Sequence, residues 1–253
     1  MKIIKSRLYT VLCVLLCAIM ACCLIFMVSA MPPFASAENP TVNEVSEKYL
    51  TDSIKDTGAI SSVAGMILDY RAFDTLGESC VLFVATISVF ILLRADEKKD
   101  NELALEIQES YEPESDPVLT TTFKAVIPII LIFGAYIVMN GHLSPGGGFA
   151  GGAILAGAFI LYLNAYGYEK AHRIINRKIY TVLSCCALSF YCLAKSYSFY
   201  TGANGIHSII KPGTPGSLIS GGLILPLNIC VGIVVCCTIS AIYIMFKKGG
   251  VGK

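Results

Sequence analysis

Six long apolar stretches dominate the chain: Leu8–Ala30, Asp74–Leu93, Thr121–Met139, Phe149–Tyr166, Ile179–Tyr200 and Leu218–Phe246. Each has roughly the 20 residues that a helix needs to cross a hydrocarbon core about 30 Å thick. Lipid offers backbone groups no hydrogen-bond partners, so helices are the default for all six. The pattern predicts an all-α integral membrane protein with about six transmembrane helices. The last stretch is long enough to tilt or to begin outside the bilayer. Gly58–Leu68 is apolar but too short to span, which places it at the interface or against neighbouring helices.

Polar segments divide the chain further. Ala95–Pro117 carries nine carboxylates, Asp96, Glu97, Asp100, Glu102, Glu106, Glu109, Glu112, Glu114 and Asp116. It reads as a solvated linker, with a docking strip for a basic partner as the alternative. Residues 1–94 then form a two-helix unit, 95–117 the linker and 118–253 a four-helix unit. The first stretch has a rival reading. Lys2, Lys5 and Arg7 precede it and Ala35-Ser36-Ala37 resembles a small-residue cleavage site, as in a signal peptide. Its 23 residues exceed the usual apolar core of about 7–15, which favours a retained helix.

Composition agrees with a membrane class: 55% of residues are hydrophobic, 15% are charged, and mean hydropathy is +0.68. The net charge of +1 is uninformative, but charge placement is not. With six spans, fourteen Lys/Arg fall on the face of the termini, four on the other (Lys48, Lys55, Arg71, Lys211), and Lys195 within a span. The positive-inside rule therefore places both termini in the cytoplasm of a multi-pass cell-membrane protein. The eleven cysteines all lie in apolar segments, without metal-ligand spacing, and read as small packing residues.

One short pattern occurs twice, seventy residues apart. Pro145-Gly146 is followed by Gly151-Gly152, and Pro215-Gly216 by Gly221-Gly222, each ahead of an Ile-Leu pair. With each copy in an outer turn, a duplicated hairpin is the reading that follows, its repeats related by an axis along the membrane normal. Gly146-Gly147-Gly148 lacks the Lys-Ser/Thr of a phosphate-binding loop. Gly147/Gly151 and Gly148/Gly152 instead have the small-xxx-small spacing that lets backbones approach. His142 in the same loop is a candidate proton relay or a simple hydrogen-bonding residue.

The densest chemistry lies in Leu68-Asp69-Tyr70-Arg71-Ala72-Phe73-Asp74-Thr75-Leu76-Gly77-Glu78. A helix from about Asp74 puts Asp74 and Glu78 on one face, with Glu78 about one turn below the outer boundary. Such an acid can exchange a proton or strip water from a cation; the alternative is an interfacial ion pair of Arg71 with Asp69 or Asp74. Lys195 lies 17 residues beyond Lys178, roughly 25 Å up a helix, so its amine can snorkel to the outer surface or serve as a relay or counter-ion. Pro128 and Pro226 suggest kinks, with Asn228 placed to satisfy a carbonyl freed by Pro226. Spans three to six hold no Asp or Glu, which suits a scaffold better than an independent carrier.

Asn140-Gly141-His142-Leu143-Ser144-Pro145-Gly146-Gly147-Gly148-Phe149-Ala150-Gly151-Gly152 closely resembles the loop of the MnhB/MrpB subunit family of Mrp-type cation/proton antiporters. Leu225-Pro226-Leu227-Asn228-Ile229-Cys230-Val231-Gly232 resembles that family's last helix, and the likeness covers about Leu119–Lys248. Ile67-Leu68-Asp69-Tyr70-Arg71-Ala72-Phe73-Asp74-Thr75-Leu76-Gly77-Glu78 resembles the C-terminal part of the large Mrp A subunit, which also occurs as a separate small subunit, called E, in membrane-bound hydrogenases with an Mrp module. The resemblance implies a non-catalytic subunit, without cofactor of its own, in a complex that exchanges Na⁺ and H⁺. That complex is a stand-alone antiporter or a ferredoxin-linked hydrogenase. Other Mrp-type subunits, hydrogenase membrane subunits and lipid are the implied partners, and nucleic acid is not. Glu78, with Asp74, inherits an ion-path role; a purely structural subunit is the alternative.

Overall fold

The structure is a computed structural model that describes residues 2–31, 43–92, 117–167, 177–206 and 208–250. The linker residues 95–116 and Ala35-Ser36-Ala37 lie outside the described residues. The chain divides into two compact units, Met1–Lys48 and Tyr49–Lys253.

The first unit holds helix α1, Lys2–Ser29. Its window Val11–Ser29 has a mean hydropathy of 3.2 with none of it buried, the signature of a helix that presents apolar side chains all round. Ser29 Oγ donates to the Phe26 carbonyl at 2.7 Å and closes its last turn. Asn43 then opens helix α2, Glu44–Thr51, by accepting from the Ser46 amide at 2.8 Å.

The second unit continues with α3 (Ser53–Thr57), α4 (Ser62–Gly65), a π-helical turn (Met66–Tyr70), α5 (Ala72–Leu92), α6 (Pro117–Met139), α7 (Gly148–Tyr166), α8 (Arg177–Ala203) and α9 (Ile224–Gly250). Among the described residues there is no strand. Helix α9 is the hub, packing against α5, α6, α7 and α8. Over half of its apolar window is buried (56%), against 17–33% for the other four, so those four turn most of their surface outward. The core joins Ile224, Leu227, Val231, Val234 and Val235 of α9 to Ala187 and Tyr191 of α8. It also takes in Ala59, Ala64 and Leu68, so the short apolar segment Gly58–Leu68 is packed into the bundle.

Six helices are long and apolar enough to cross a membrane. The sixth differs from its sequence-based bounds, because Leu218–Leu223 is loop and α9 begins at Ile224. Proline explains this. A start at Ile224 puts Pro226 in the first turn, where the missing N–H would have had no helical partner in any case.

Candidate functional site

The two glycine-proline loops meet at one end of the bundle, called here the loop end. His142 is fully buried, and its Nε2 donates to the Ser217 carbonyl in the second loop at 3.2 Å. Its own carbonyl accepts from the Ser61 amide at 3.1 Å, tying the cap of α4 to the same point. Pro145 and Gly146 are exposed; Gly147 and Gly148 are buried against Asn228 of α9. The Gly148 amide, an orphan donor at the start of α7, donates to Asn228 Oδ1 at 3.0 Å. Asn228 therefore caps a neighbouring helix and serves no carbonyl freed by Pro226, since Pro226 breaks no bond within α9.

A Cβ on Gly148 would lie 2.5 Å from the Asn228 carbonyl oxygen, and one on Gly152 would lie 2.7 Å from that of Gly232. Gly151 faces Val138 of α6 instead. Small residues on one helix thus admit two neighbours at backbone distance. The second copy of the pattern is built differently. Pro215 and Gly216 are exposed, and Gly221 and Gly222, with φ of 84° and 53°, lie in the loop before α9, whereas Gly151 and Gly152 lie inside α7. The two copies are alike in sequence and unlike in conformation, which removes the local support for a duplicated hairpin.

The ionisable groups gather where the π turn enters α5. Lys195 of α8 is only 4% exposed, and its Nζ donates to Asp69 Oδ1 at 2.6 Å. Its amine is buried and does not reach open solvent: it meets a counter-charge at the edge of the bundle, on a segment far away in sequence. A π turn carries one extra residue and re-aims the side chains that follow. Here the Arg71 amide reaches back to Met66 at 2.8 Å, and Asp69 is turned toward α8. Two hydroxyls hold the junction. Thr75 Oγ1 donates to the Ile67 carbonyl at 2.7 Å, and Tyr191, one turn before Lys195, donates to the Ala72 carbonyl at 2.9 Å. Nearby, the Tyr70 hydroxyl donates to Asp56 Oδ2 at 2.7 Å. Burial and then the Asp56 carboxylate push that hydroxyl above its ordinary range, so it remains a donor.

Asp74 pairs with Arg71 on the exposed face of α5, occupying it in an interfacial ion pair. Glu78 shares that face and is exposed, yet it lies within the apolar span Ala72–Leu92. It lines a groove of about 590 Å³ with Leu82, Phe149, Ala153, Val235 and Thr238. Among the described residues no cation pairs with it. Asp69 and Lys195 are thus brought together, Asp74 is paired with Arg71, Glu78 meets no cation among the described residues, and His142 belongs to the loop junction. The sequence held Asp69 and Lys195 as separate candidates; no spacing within either segment signalled that they pair.

Six membrane-length helices, four of them packed around α9 in the second unit, define a multi-pass membrane protein. A family model described as "Domain related to MnhB subunit of Na+/H+ antiporter" matches residues 118–241, and the model for MbhE, the E-type component of MBH, matches residues 11–109. An uncharacterized protein of Methanocaldococcus jannaschii is 34% identical over 215 residues, 77% of each chain. A chain of the membrane-bound sulfane sulfur reductase, an archaeal respiratory membrane complex, superposes with a TM-score of 0.70 at 30% identity, over 94% of this chain and 98% of that one. A chain of the Mrp complex from Dietzia sp. DQ12-45-1b shares the fold, with a TM-score of 0.67 at 22% identity, over 98% of this chain and 26% of that one. The chain belongs to the same family as the Methanocaldococcus jannaschii protein, and in it an MbhE-type N-terminal portion is joined to an MnhB-type C-terminal portion.

Proposed function

We propose that the chain is a non-catalytic membrane subunit of a multisubunit cation/proton antiporter module, with Na⁺ as its cation and both termini in the cytoplasm. The partners are other antiporter-type subunits, alone or within a respiratory membrane complex. Both family matches and both structural neighbours support this reading. The observation that carries an ion-path role is the Asp69–Lys195 pair, one end at 4% exposure and the other at 36%. A buried ammonium needs its counter-charge, while a carboxylate that borders the surface is reachable from water. A cation or proton arriving at Asp69 competes with Lys195 for the same oxygens. Glu78, inside the span and without a pairing cation among the described residues, is the second carboxylate on offer.

The test uses the assembled complex in inverted membrane vesicles. Asp69→Asn and Glu78→Gln should each lower Na⁺-dependent collapse of a pH gradient while the subunits still co-purify. Undiminished exchange in both variants would leave the chain with assembly as its whole role. The backbone-to-backbone packing of α7 on α9 is the feature that favours that second reading.

A further inference from the structure

The buried face shared by α5 and α8 is polar for most of its length, which a helix contact within a bilayer does not require. From the loop end downward, α8 presents Lys195, Tyr191, Ser184 and Tyr180, at spacings that keep one face of a helix. Helix α5 answers with Thr75, Ser79 and Thr86, each at most 3% exposed, and α9 adds Thr238 at 1%. The Tyr191 hydroxyl lies beside Thr75. That of Tyr180 lies among the hydroxyls of Thr86, Thr238 and Ser184. The Tyr180 ring is held between two aromatic residues on one face of α5, stacked on Phe83 at 6.1 Å and edge-on to Phe90 at 5.3 Å. Its hydroxyl is therefore aimed and not free to swing. From Lys195 to Tyr180 the face runs fifteen residues, about 22 Å of helix. That is most of a hydrocarbon core of about 30 Å.

A second observation separates this seam from ordinary helix packing. The hydroxyl oxygens of Ser79, Tyr180, Ser184 and Thr238 are fully buried, and none makes a hydrogen bond of acceptable geometry among the described residues. Hydroxyls in a packed membrane bundle usually settle by donating to their own helix, as Thr86 does to the Leu82 carbonyl at 3.0 Å. Tyr180, Ser184 and Thr238, which converge without settling, are suited to hold buried water, which seeks two to four polar partners. Among the described residues no carboxylate pairs with the hydroxyls beside Tyr180, while Glu78 lines the groove that Thr238 also borders.

We propose that this seam is a proton relay inside the chain, running through hydroxyls and buried water from the Tyr180 end of the bundle to the Asp69–Lys195 pair. Water supplies the proton beside Tyr180. Each oxygen takes one proton and passes one on, so no hydroxyl ends charged. The Asp69 carboxylate receives the proton and releases it to water at the loop end. This rests on the ion-path reading given above and adds the route.

The test compares Tyr180→Phe, Ser184→Ala and Thr238→Val in the assembled complex, with exchange measured in H₂O and D₂O. Tyr180→Phe keeps the aromatic clamp, and the other two barely change volume, so at least one variant should assemble. Removal of a relay hydroxyl should slow exchange about tenfold or more, alter the solvent isotope effect, and leave the half-saturating Na⁺ concentration unchanged. Wild-type rates in the assembled variants would overturn the relay. So would slowing with an unaltered isotope effect, or a Na⁺ dependence that shifts with Tyr180→Phe. If Asp69→Asn impairs exchange while these variants do not, the relay alone falls; if Asp69→Asn and Glu78→Gln are silent too, the ion-path reading falls with it.

Discussion

At the residue scale, Lys195 and Asp69 have unequal access to water, at 4% and 36% exposure, so breaking their pair from either side should not cost the same. Asp69→Asn strands an ammonium inside the bundle, where an uncompensated charge costs about 3 kcal/mol. Lys195→Met leaves a carboxylate that can turn to solvent, at a cost nearer the ~1 kcal/mol of an exposed pair. Thermal unfolding of the purified chain in detergent checks the order: Asp69→Asn should melt well below Lys195→Met, and the double variant above Asp69→Asn. Equal melting points would mean that the lysine is solvated. The sequence displayed both residues but not their pairing. Spacing along α8 gives the height of Lys195, while its partner lies 126 positions away on a turn whose π geometry leaves no compositional mark. The seam hydroxyls were hidden for a related reason: Ser and Thr within apolar helices read as small packing residues until the facing helix is known.

At the element scale, the bundle is set by how closely α7 can approach α9. Gly148 and Gly152 each face a carbonyl oxygen of α9 at a distance that no real Cβ tolerates, whereas Gly157 of the same helix has nothing within 4 Å. Gly148→Ala and Gly152→Ala must push two backbones apart and should each destabilise by about 1–3 kcal/mol. Gly157→Ala gains helix propensity without a clash and should stabilise by up to about 1 kcal/mol. Melting of the three variants in one detergent should split them by sign; a destabilised Gly157→Ala would place an unseen neighbour on that face. The spans themselves were legible because lipid imposes one requirement on length and polarity, and the six sequence-based stretches match the six helices to within a few residues except at Leu218. The second Pro-Gly pattern was not, because conformation follows what comes after it. Pro226 delays the start of α9 and leaves Gly221 and Gly222 outside the helix, while nothing after Gly148 prevents α7 from beginning there.

At the scale of the whole molecule, the exposed surface is itself an argument for assembly. Glu78 sits on the outward face of α5 inside the span, bordered by Leu82, Phe149, Ala153 and Val235, with no cation among the described residues beside it. Left against lipid, a carboxylate at that depth would cost about 3 kcal/mol, and more by some estimates. A neighbouring subunit that brings a donor or a wet path to the groove removes that cost, so the groove should be covered in the complex. Ala153→Trp tests this without touching any ionisable group. The residue is exposed on α7, so a larger side chain fills the groove without entering the core, and the isolated chain should melt as the wild type does. In the complex the same indole would stand where the neighbour packs. Co-purification of the remaining subunits should drop sharply, and Na⁺-dependent exchange in vesicles should fall with it. Glu78→Gln, which keeps the shape and removes the charge, should retain assembly and lose exchange. If Ala153→Trp assembles fully and exchanges normally, the groove faces lipid and Glu78 has no subunit to serve.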